Sequence, residues 1–225
     1  MNLAYKLMLN FIFFILFINI NFVKSNNCPN VNLTKHVNLT EYIRKTWYVH
    51  EQQINGYQPL NSLNCVSATY NIDNHSKVPF FKGKVLSVYN YANLNKVNGI
   101  NENNSSVLCA RIVNSSEPEK LIVAPCFIPN FLGGPYWILS VGPQSNNYEW
   151  AIVIGGQPTV QYNNSCTTKE TGINNSGLWL LTRRREYNKT TINNLYNILT
   201  EKHIFKNNLK KVNHTGCNYT GAFIK

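Results

Sequence analysis

The chain has 225 residues, with 21 Lys or Arg against 10 Asp or Glu, so its formal net charge at neutral pH is +11. This length suits one domain, because typical domains have about 100–200 residues and barrels somewhat more. Nucleic-acid binding is not indicated, since the only basic run is residues 183–185 and no Lys/Arg stripe alternates with stacking aromatics. The charge fits an approach to anionic lipid headgroups or polysaccharide, with a plain solvated surface as the alternative.

Residues 1–25 are predicted to be a signal peptide. One basic residue, Lys6, precedes an apolar run from Leu7 to Val23 that only Asn10 and Asn19 interrupt, and Ser25 offers a small residue for cleavage. The alternative is an uncleaved anchor helix, although the run falls just short of the ~20 apolar residues that a span needs. Residues 26–225 are then expected to form one secreted domain with 19 basic and 10 acidic residues.

Six cysteines indicate disulfide bonds. Their number is even, and none lies in a Cys-x-x-Cys pair of the kind that zinc sites favour. Behind a signal peptide, three disulfides are therefore expected. The six are Cys28, Cys65, Cys109, Cys126, Cys166 and Cys217.

Sequons for N-glycosylation also favour export, although a chain so rich in Asn produces some of them by chance. They begin at Asn32, Asn38, Asn74, Asn103, Asn104, Asn114, Asn163, Asn174, Asn188, Asn213 and Asn218.

Between 46 and 184 the chain reads as eight strands, rich in β-branched and aromatic residues and separated by short Asn/Ser clusters. Several alternate as a two-faced sheet requires: Ser67, Thr69 and Asn71 stand between apolar neighbours. The predicted strands are Thr46–Gln53, Cys65–Asp73, Gly83–Ala92, Ser106–Val113, Lys120–Phe127, Tyr136–Val141, Tyr148–Ile154 and Leu178–Arg184.

A helix is predicted after the last strand, because apolar residues there recur at the helical period. They are Ile192, Leu195, Tyr196 and Leu199. Asn188, Thr190 or Thr191 is expected to cap it. Before the first strand, Leu39–Arg44 is expected to form a short helical turn.

Eight antiparallel strands leave unpaired edges unless they close. We therefore predict an all-β fold, an eight-stranded antiparallel up-and-down barrel with the C-terminal helix packed outside. The interior of such a barrel is just wide enough for side chains or one small ligand. A two-sheet sandwich is the alternative.

Four segments in order resemble the motifs of the lipocalin family, in its apolipoprotein D-like branch. They are Tyr42–Tyr48, Phe127–Pro129 with Pro135–Leu139, Tyr148–Val153, and Leu178–Arg183. The helix Ile192–Ile204 and the downstream Cys217 match in order and spacing. Two positions depart from the family pattern. Lys45 stands where the first motif has Gly, and residues 142–145 replace the Thr-Asp-Tyr turn of the second motif, which leaves that turn's receptor-contacting role unsupported.

The resemblance implies that Arg183 lies across Trp47 at the closed end of the barrel, in a structural role. It also implies a Cys65–Cys217 bond that fastens the C-terminal tail. Separately, Cys109 and Cys126 are expected to pair because they lie opposite each other on a hairpin centred near residues 117–118. Cys28 with Cys166 follows only by elimination, and fifteen connectivities are formally possible.

The expected ligand is a small hydrophobic molecule such as a fatty acid, sterol, retinoid or pigment-like compound. By alternation, the residues predicted to line its cavity are Tyr70, Tyr89, Trp137, Leu139 and Trp150. The apolar loop 127–134 is predicted either to dock at a lipid surface or to fold in as a lid. Its apolar residues are Phe127, Ile128, Phe131 and Leu132.

No enzyme, metal or cofactor is expected. Histidines lie in no metal-spaced pair, carboxylates are sparse, and paired cysteines leave no thiol nucleophile. The alternatives are a secreted adhesion or coat glycoprotein with a filled barrel and, less favoured, an isomerase of the same family. The sequence does not indicate an oligomeric state.

Overall fold

The computed structural model describes residues 28–101 and 107–225. The predicted signal peptide and the sequons at Asn103 and Asn104 lie outside the described residues. None of the helices in the described ranges is long and apolar enough to cross a membrane.

Eight antiparallel strands form one closed barrel. Each pairs with the next along the chain, and the last pairs with the first, with Tyr48 opposite Thr182 and Val49 opposite Leu181. This closure confirms the predicted fold class and excludes the two-sheet sandwich. The strands are β1 (Trp47–Gln53), β2 (Asn64–Asp73), β3 (Val85–Asn93), β4 (Val107–Ile112), β5 (Lys120–Pro125), β6 (Gly134–Gln144) and β7 (Asn147–Ile154), followed after the β8–β9 hairpin (Val160–Tyr162 and Ser165–Thr167) by β10 (Leu178–Thr182).

Because neighbouring strands run in opposite directions, the connections between them lie alternately at the two ends of the barrel. The segments that follow β1, β3, β5 and β7 leave from one end, which we call the mouth. The short helix α1 (Leu39–Tyr42) lies at the other, closed end, where the Asn38 side chain accepts from the backbone N–H of Glu41 and donates to the Ser145 carbonyl.

Strand boundaries differ from the prediction mainly where polar or turn-forming residues still pair. β6 continues past Val141 because Gly142 and Pro143 remain opposite β7. Three short strands were not predicted at all: the two strands of the β8–β9 hairpin, and β11 (Leu209–Lys211), which pairs with the C-terminal part of β1. Strands of three residues are too short for a period-2 pattern to be recognised.

Helix α2 (Lys189–Glu201) packs on the outside of the barrel, as predicted. Asn188 caps it by accepting from the backbone N–H of Thr191 at 3.0 Å. The helix starts three residues before the predicted Ile192, because the apolar pattern does not mark the polar residues Lys189, Thr190 and Thr191. It ends at Glu201, before the buried Ile204 that the prediction included. The buried helix residues and the strand residues in the same cluster are Ile192, Leu195, Leu199, Leu139, Ile152, Ile154, Leu178 and Leu180.

Three disulfides tie the periphery to the barrel. They join Cys28 to Cys166, Cys65 to Cys217 and Cys109 to Cys126, which are the three predicted pairs, and no cysteine is free. The Cys65–Cys217 bond fastens the C-terminal tail along the outer wall, where the Phe223 carbonyl accepts from the Thr69 hydroxyl.

Candidate ligand-binding site

The barrel encloses a cavity of about 330 Å³. Residues from the segments at the mouth, including Tyr57 and Ile173, form its upper rim. Among the described residues that line it, none carries a charge. This volume lies at the lower end of the ~300–1,000 Å³ found for ligand pockets, so the cavity suits one small apolar molecule. All eight barrel strands contribute an inward side chain: Val49, Val66, Val88, Leu108, Val123, Tyr136, Val153 and Leu181.

Three tyrosine hydroxyls meet at the bottom of this cavity. The Tyr136 hydroxyl lies 2.7 Å from that of Tyr42 and 2.8 Å from that of Tyr70. Burial raises the pKa of Tyr70 to about 12 and holds the pKa of the other two well above the usual value. All three are therefore neutral O–H groups at physiological pH.

Of the five residues predicted to line the cavity, the structure places only Tyr70 there. Tyr89 lies on the outer wall, with its ring centre 5.7 Å from that of Phe223. Trp137, Leu139 and Trp150 belong to the cluster between the barrel and α2. Four of the five thus point away from the cavity.

The reason is that α2 covers the outer face of β6, β7 and β10, so these strands are apolar on both faces. In β7, Trp150, Ala151 and Ile152 follow one another without a polar residue. Alternation then cannot say which side is inside. One signal in the sequence could have identified the inward face of β10. Trp179 and Leu181 share a face with Arg183, which the family resemblance puts at the closed end of the barrel. Both line the cavity.

Arg183 and Trp47 lie together at the closed end. The guanidinium carbon is 3.4 Å from the centre of the indole ring, and Trp47 is fully buried. Burial lowers the pKa of Arg183 to about 10, so it remains charged at neutral pH. The guanidinium donates to the backbone carbonyls of Glu41, Tyr42, Lys45 and Tyr148. This one side chain therefore ties β10 to α1, β1 and β7.

The loop between β5 and β6 presents apolar residues at the mouth. Phe127, Phe131 and Leu132 are 77%, 78% and 55% exposed, whereas Ile128 is half-buried. We call residues 126–133 the rim loop. Its exposed side chains do not fold over the cavity as a lid, since none of them lines it.

The base of the rim loop is held by two features. One is the Cys109–Cys126 bond. The other is Arg111, a fully buried residue that the sequence analysis did not single out. Its guanidinium donates at 2.8–3.0 Å to the backbone carbonyls of Cys109, Ala124, Pro125 and Ile128.

His50 and His214 lie under the C-terminal tail on the outer wall, with their ring centres 5.0 Å apart. His214 accepts from the Tyr219 hydroxyl and donates to the Val49 carbonyl. Burial lowers its pKa to about 4, with a hydrogen bond to Val49 opposing and His50 reinforcing the shift. Within residues 28–101 and 107–225, no three His, Cys, Asp or Glu side chains are grouped so as to hold a metal ion.

The sequence matches no protein-family model and no curated protein. Among the solved structures that are similar to the chain are a cockroach allergen and two apocrustacyanins. The allergen Per a 4 from cockroaches is 14% identical, with 87% of this chain and 98% of that chain covered and a TM-score of 0.51. Lobster apocrustacyanin A1 and apocrustacyanin C2 are each 16% identical, with 82% and 84% covered, at TM-scores of 0.52 and 0.51. At these identities the likeness shows the fold alone: the chain has the lipocalin fold, an eight-stranded closed barrel with one C-terminal helix.

Proposed function

We propose that this protein is a secreted member of the lipocalin family, near its apolipoprotein D-like branch, that carries a small hydrophobic ligand and catalyses no reaction. The observation that carries the proposal is the uncharged cavity of about 330 Å³ inside the closed barrel. The alternative, a coat or adhesion protein whose barrel is filled by side chains, would not contain such a cavity.

The wall chemistry favours binding by the hydrophobic effect. Valine and leucine side chains from β1 to β10 surround the space. Removing apolar area from water contributes about 25 cal/mol per Å², so a ligand that covers this wall needs no charged anchor. A preformed cavity also lowers the ordering cost of binding.

Ligand binding is tested by titrating the purified protein with N-phenyl-1-naphthylamine, whose fluorescence rises in apolar surroundings. The variant Val88→Trp places an indole in the cavity and is expected to weaken binding at least about tenfold, which corresponds to ~1.4 kcal/mol. Val113→Trp is the matched control, because Val113 is 53% exposed. Equal binding by both variants, or none by the wild type, contradicts the proposal. Organic-solvent extraction of native protein should also release a bound apolar molecule.

Export and glycosylation are supported by the pairing of all six cysteines and by the sequons. Every sequon asparagine within the described residues is exposed, so an oligosaccharide can reach it. Expression of the full chain in eukaryotic cells should therefore put the protein in the medium. Its mass should fall on treatment with an N-glycosidase. Retention in the cells as an unmodified chain contradicts this part of the proposal.

We further propose that the rim loop docks the mouth at a lipid surface while ligand passes. Three exposed apolar side chains at the opening, on a loop whose base is fixed, support this. The net positive charge favours anionic headgroups. Co-sedimentation with phosphatidylserine-containing vesicles should fall several-fold for Phe131→Ser with Leu132→Ser. Phe80→Ser is the matched control, because Phe80 is 97% exposed but follows β2, at the closed end. Unchanged co-sedimentation by the rim-loop variant rejects the idea.

A further inference from the structure

The tyrosine trio at the bottom of the cavity has one hydroxyl proton more than it has hydrogen bonds. Tyr42, Tyr70 and Tyr136 each carry one O–H donor. Two hydrogen bonds join them, and each bond uses one proton. Among the residues that the structure describes, one O–H group is therefore left without an acceptor.

That spare donor can be located. Tyr42 does not line the cavity, is only 1% exposed, and within the described part of the chain its hydroxyl has Tyr136 as its one partner. A buried O–H without an acceptor is costly, so Tyr42 donates to Tyr136. Tyr136 then either donates to Tyr70, which leaves the Tyr70 proton free, or accepts from both neighbours and keeps its own proton free. Both Tyr70 and Tyr136 line the cavity, so the spare O–H faces the ligand in either arrangement.

We propose that this hydroxyl selects ligands whose deep end carries a neutral oxygen acceptor, such as a ketone, ester carbonyl or hydroxyl, in preference to a carboxylate. This inference rests on the proposed carrier function and narrows its substrate class. A neutral acceptor completes the hydrogen bonding of the trio at little desolvation cost.

A carboxylate at the same place is disfavoured. Its buried charge would need a cation or several donors, and a single neutral hydroxyl supplies neither. Arg183 lies close by, but its guanidinium is already bonded to four backbone carbonyls and stacked on Trp47. The other polar residues that line the cavity, among them Ser67, Asn90 and Gln58, come from the mouth side of the barrel and are uncharged.

The test uses three probes with the same nine-carbon chain: 2-nonanone, 1-nonene and nonanoate. Each displaces N-phenyl-1-naphthylamine, and the measured quantity is the ratio of the dissociation constants of two probes on one protein. The key variant combines Tyr42→Phe, Tyr70→Phe and Tyr136→Phe, which removes all three hydroxyls and so leaves no buried hydroxyl unpaired. The matched control is Tyr89→Phe, which removes a hydroxyl from the outer wall.

The preference of the wild type for 2-nonanone over 1-nonene is expected to fall about three- to tenfold in the triple variant, the value of one neutral hydrogen bond. It should persist in Tyr89→Phe. It should also persist in Tyr70→Phe alone, because the chain from Tyr42 to Tyr136 still leaves one free proton. At pH 7.5 the wild type should bind nonanoate more weakly than 2-nonanone.

Two results overturn the inference while the carrier function stands: an unchanged ratio in the triple variant, and tighter binding of nonanoate than of 2-nonanone by the wild type. The second comparison needs no variant, so it decides even if the triple variant does not fold. Failure of all three probes to displace the reporter overturns the inference and the carrier function together.

Discussion

The substitution Arg183→Lys tests whether the closed end depends on a planar, forked cation or merely on a positive charge. Lysine keeps the charge and nearly the length of the side chain. It has no flat face to lay on Trp47, where the guanidinium carbon is now 3.4 Å from the ring centre. Its compact ammonium also cannot reach four carbonyls that surround the present fork.

The size of the effect follows from these losses. Stacking on an indole contributes roughly 0.5–2 kcal/mol. Hydrogen bonds from a charged donor contribute about 1.5–3 kcal/mol each, but the released carbonyls at this half-buried site regain part of that from water. Burial lowers the pKa of Arg183 because taking the charge out of water is unfavourable, and lysine keeps this cost. We therefore expect Arg183→Lys to lower the free energy of unfolding by about 3 kcal/mol.

The measurement is urea unfolding followed by tryptophan fluorescence. With a slope of roughly 2 kcal/mol per M, the midpoint should fall by about 1.5 M at an unchanged slope. Arg184→Lys is the matched control, because the Arg184 side chain is exposed. A midpoint for Arg183→Lys within ~0.3 M of the control would mean that charge alone suffices, and the reasoning from shape would be refuted.

Three further changes test the periphery. Replacing both Cys65 and Cys217 by Ser should cost about 4–5 kcal/mol of stability, because the bond closes a loop of 152 residues; a melting temperature equal to that of the wild type contradicts this. His214 has a folded-state pKa of about 4, below its ordinary value near 6.5, so the unfolded chain takes up the proton first and stability present above pH ~6.5 is lost as the pH falls towards 4. The melting temperature should drop over that window, less so in His214→Gln, while His75→Gln serves as the exposed control. Asn188→Ala should lower stability by about 1 kcal/mol through the lost helix cap, whereas Asn188→Ser should retain most of it; equal urea midpoints for the two would contradict that.

The sequence predicted the barrel and the outer helix, because these depend on strand count, turn spacing and a helical period. The cysteine pairs had three separate sources: Cys109–Cys126 came from hairpin spacing, Cys65–Cys217 from the family resemblance, and Cys28–Cys166 from elimination. The cavity wall was harder. Trp137 and Trp150 look like ligand contacts, but α2 gives their face an equally apolar neighbour. A pattern of period two loses its direction when both sides of a strand are buried.

The tyrosine trio shows a second limit. Tyr42, Tyr70 and Tyr136 come from α1, β2 and β6, and nothing local connects them. Their hydroxyls meet only because the closed barrel brings these three elements to one level. Arg111 is similar: a lone arginine in an apolar strand reads as an exposed residue, and its four carbonyl partners lie up to 17 residues away in the chain. Such sites follow from three-dimensional closure and have no local signature.

The pairing of β1 with β10 also determines when the molecule can be completed during synthesis. Trp47–Gln53 leaves the ribosome well before its partners Leu178–Thr182 and Leu209–Lys211. Until then the nascent chain is a curved, unfinished sheet whose apolar inner face has no opposite wall. Pairing between such distant segments is slow and exposes the intermediate to aggregation. Premature termination anywhere before residue 178 should therefore yield insoluble material and no partly functional carrier.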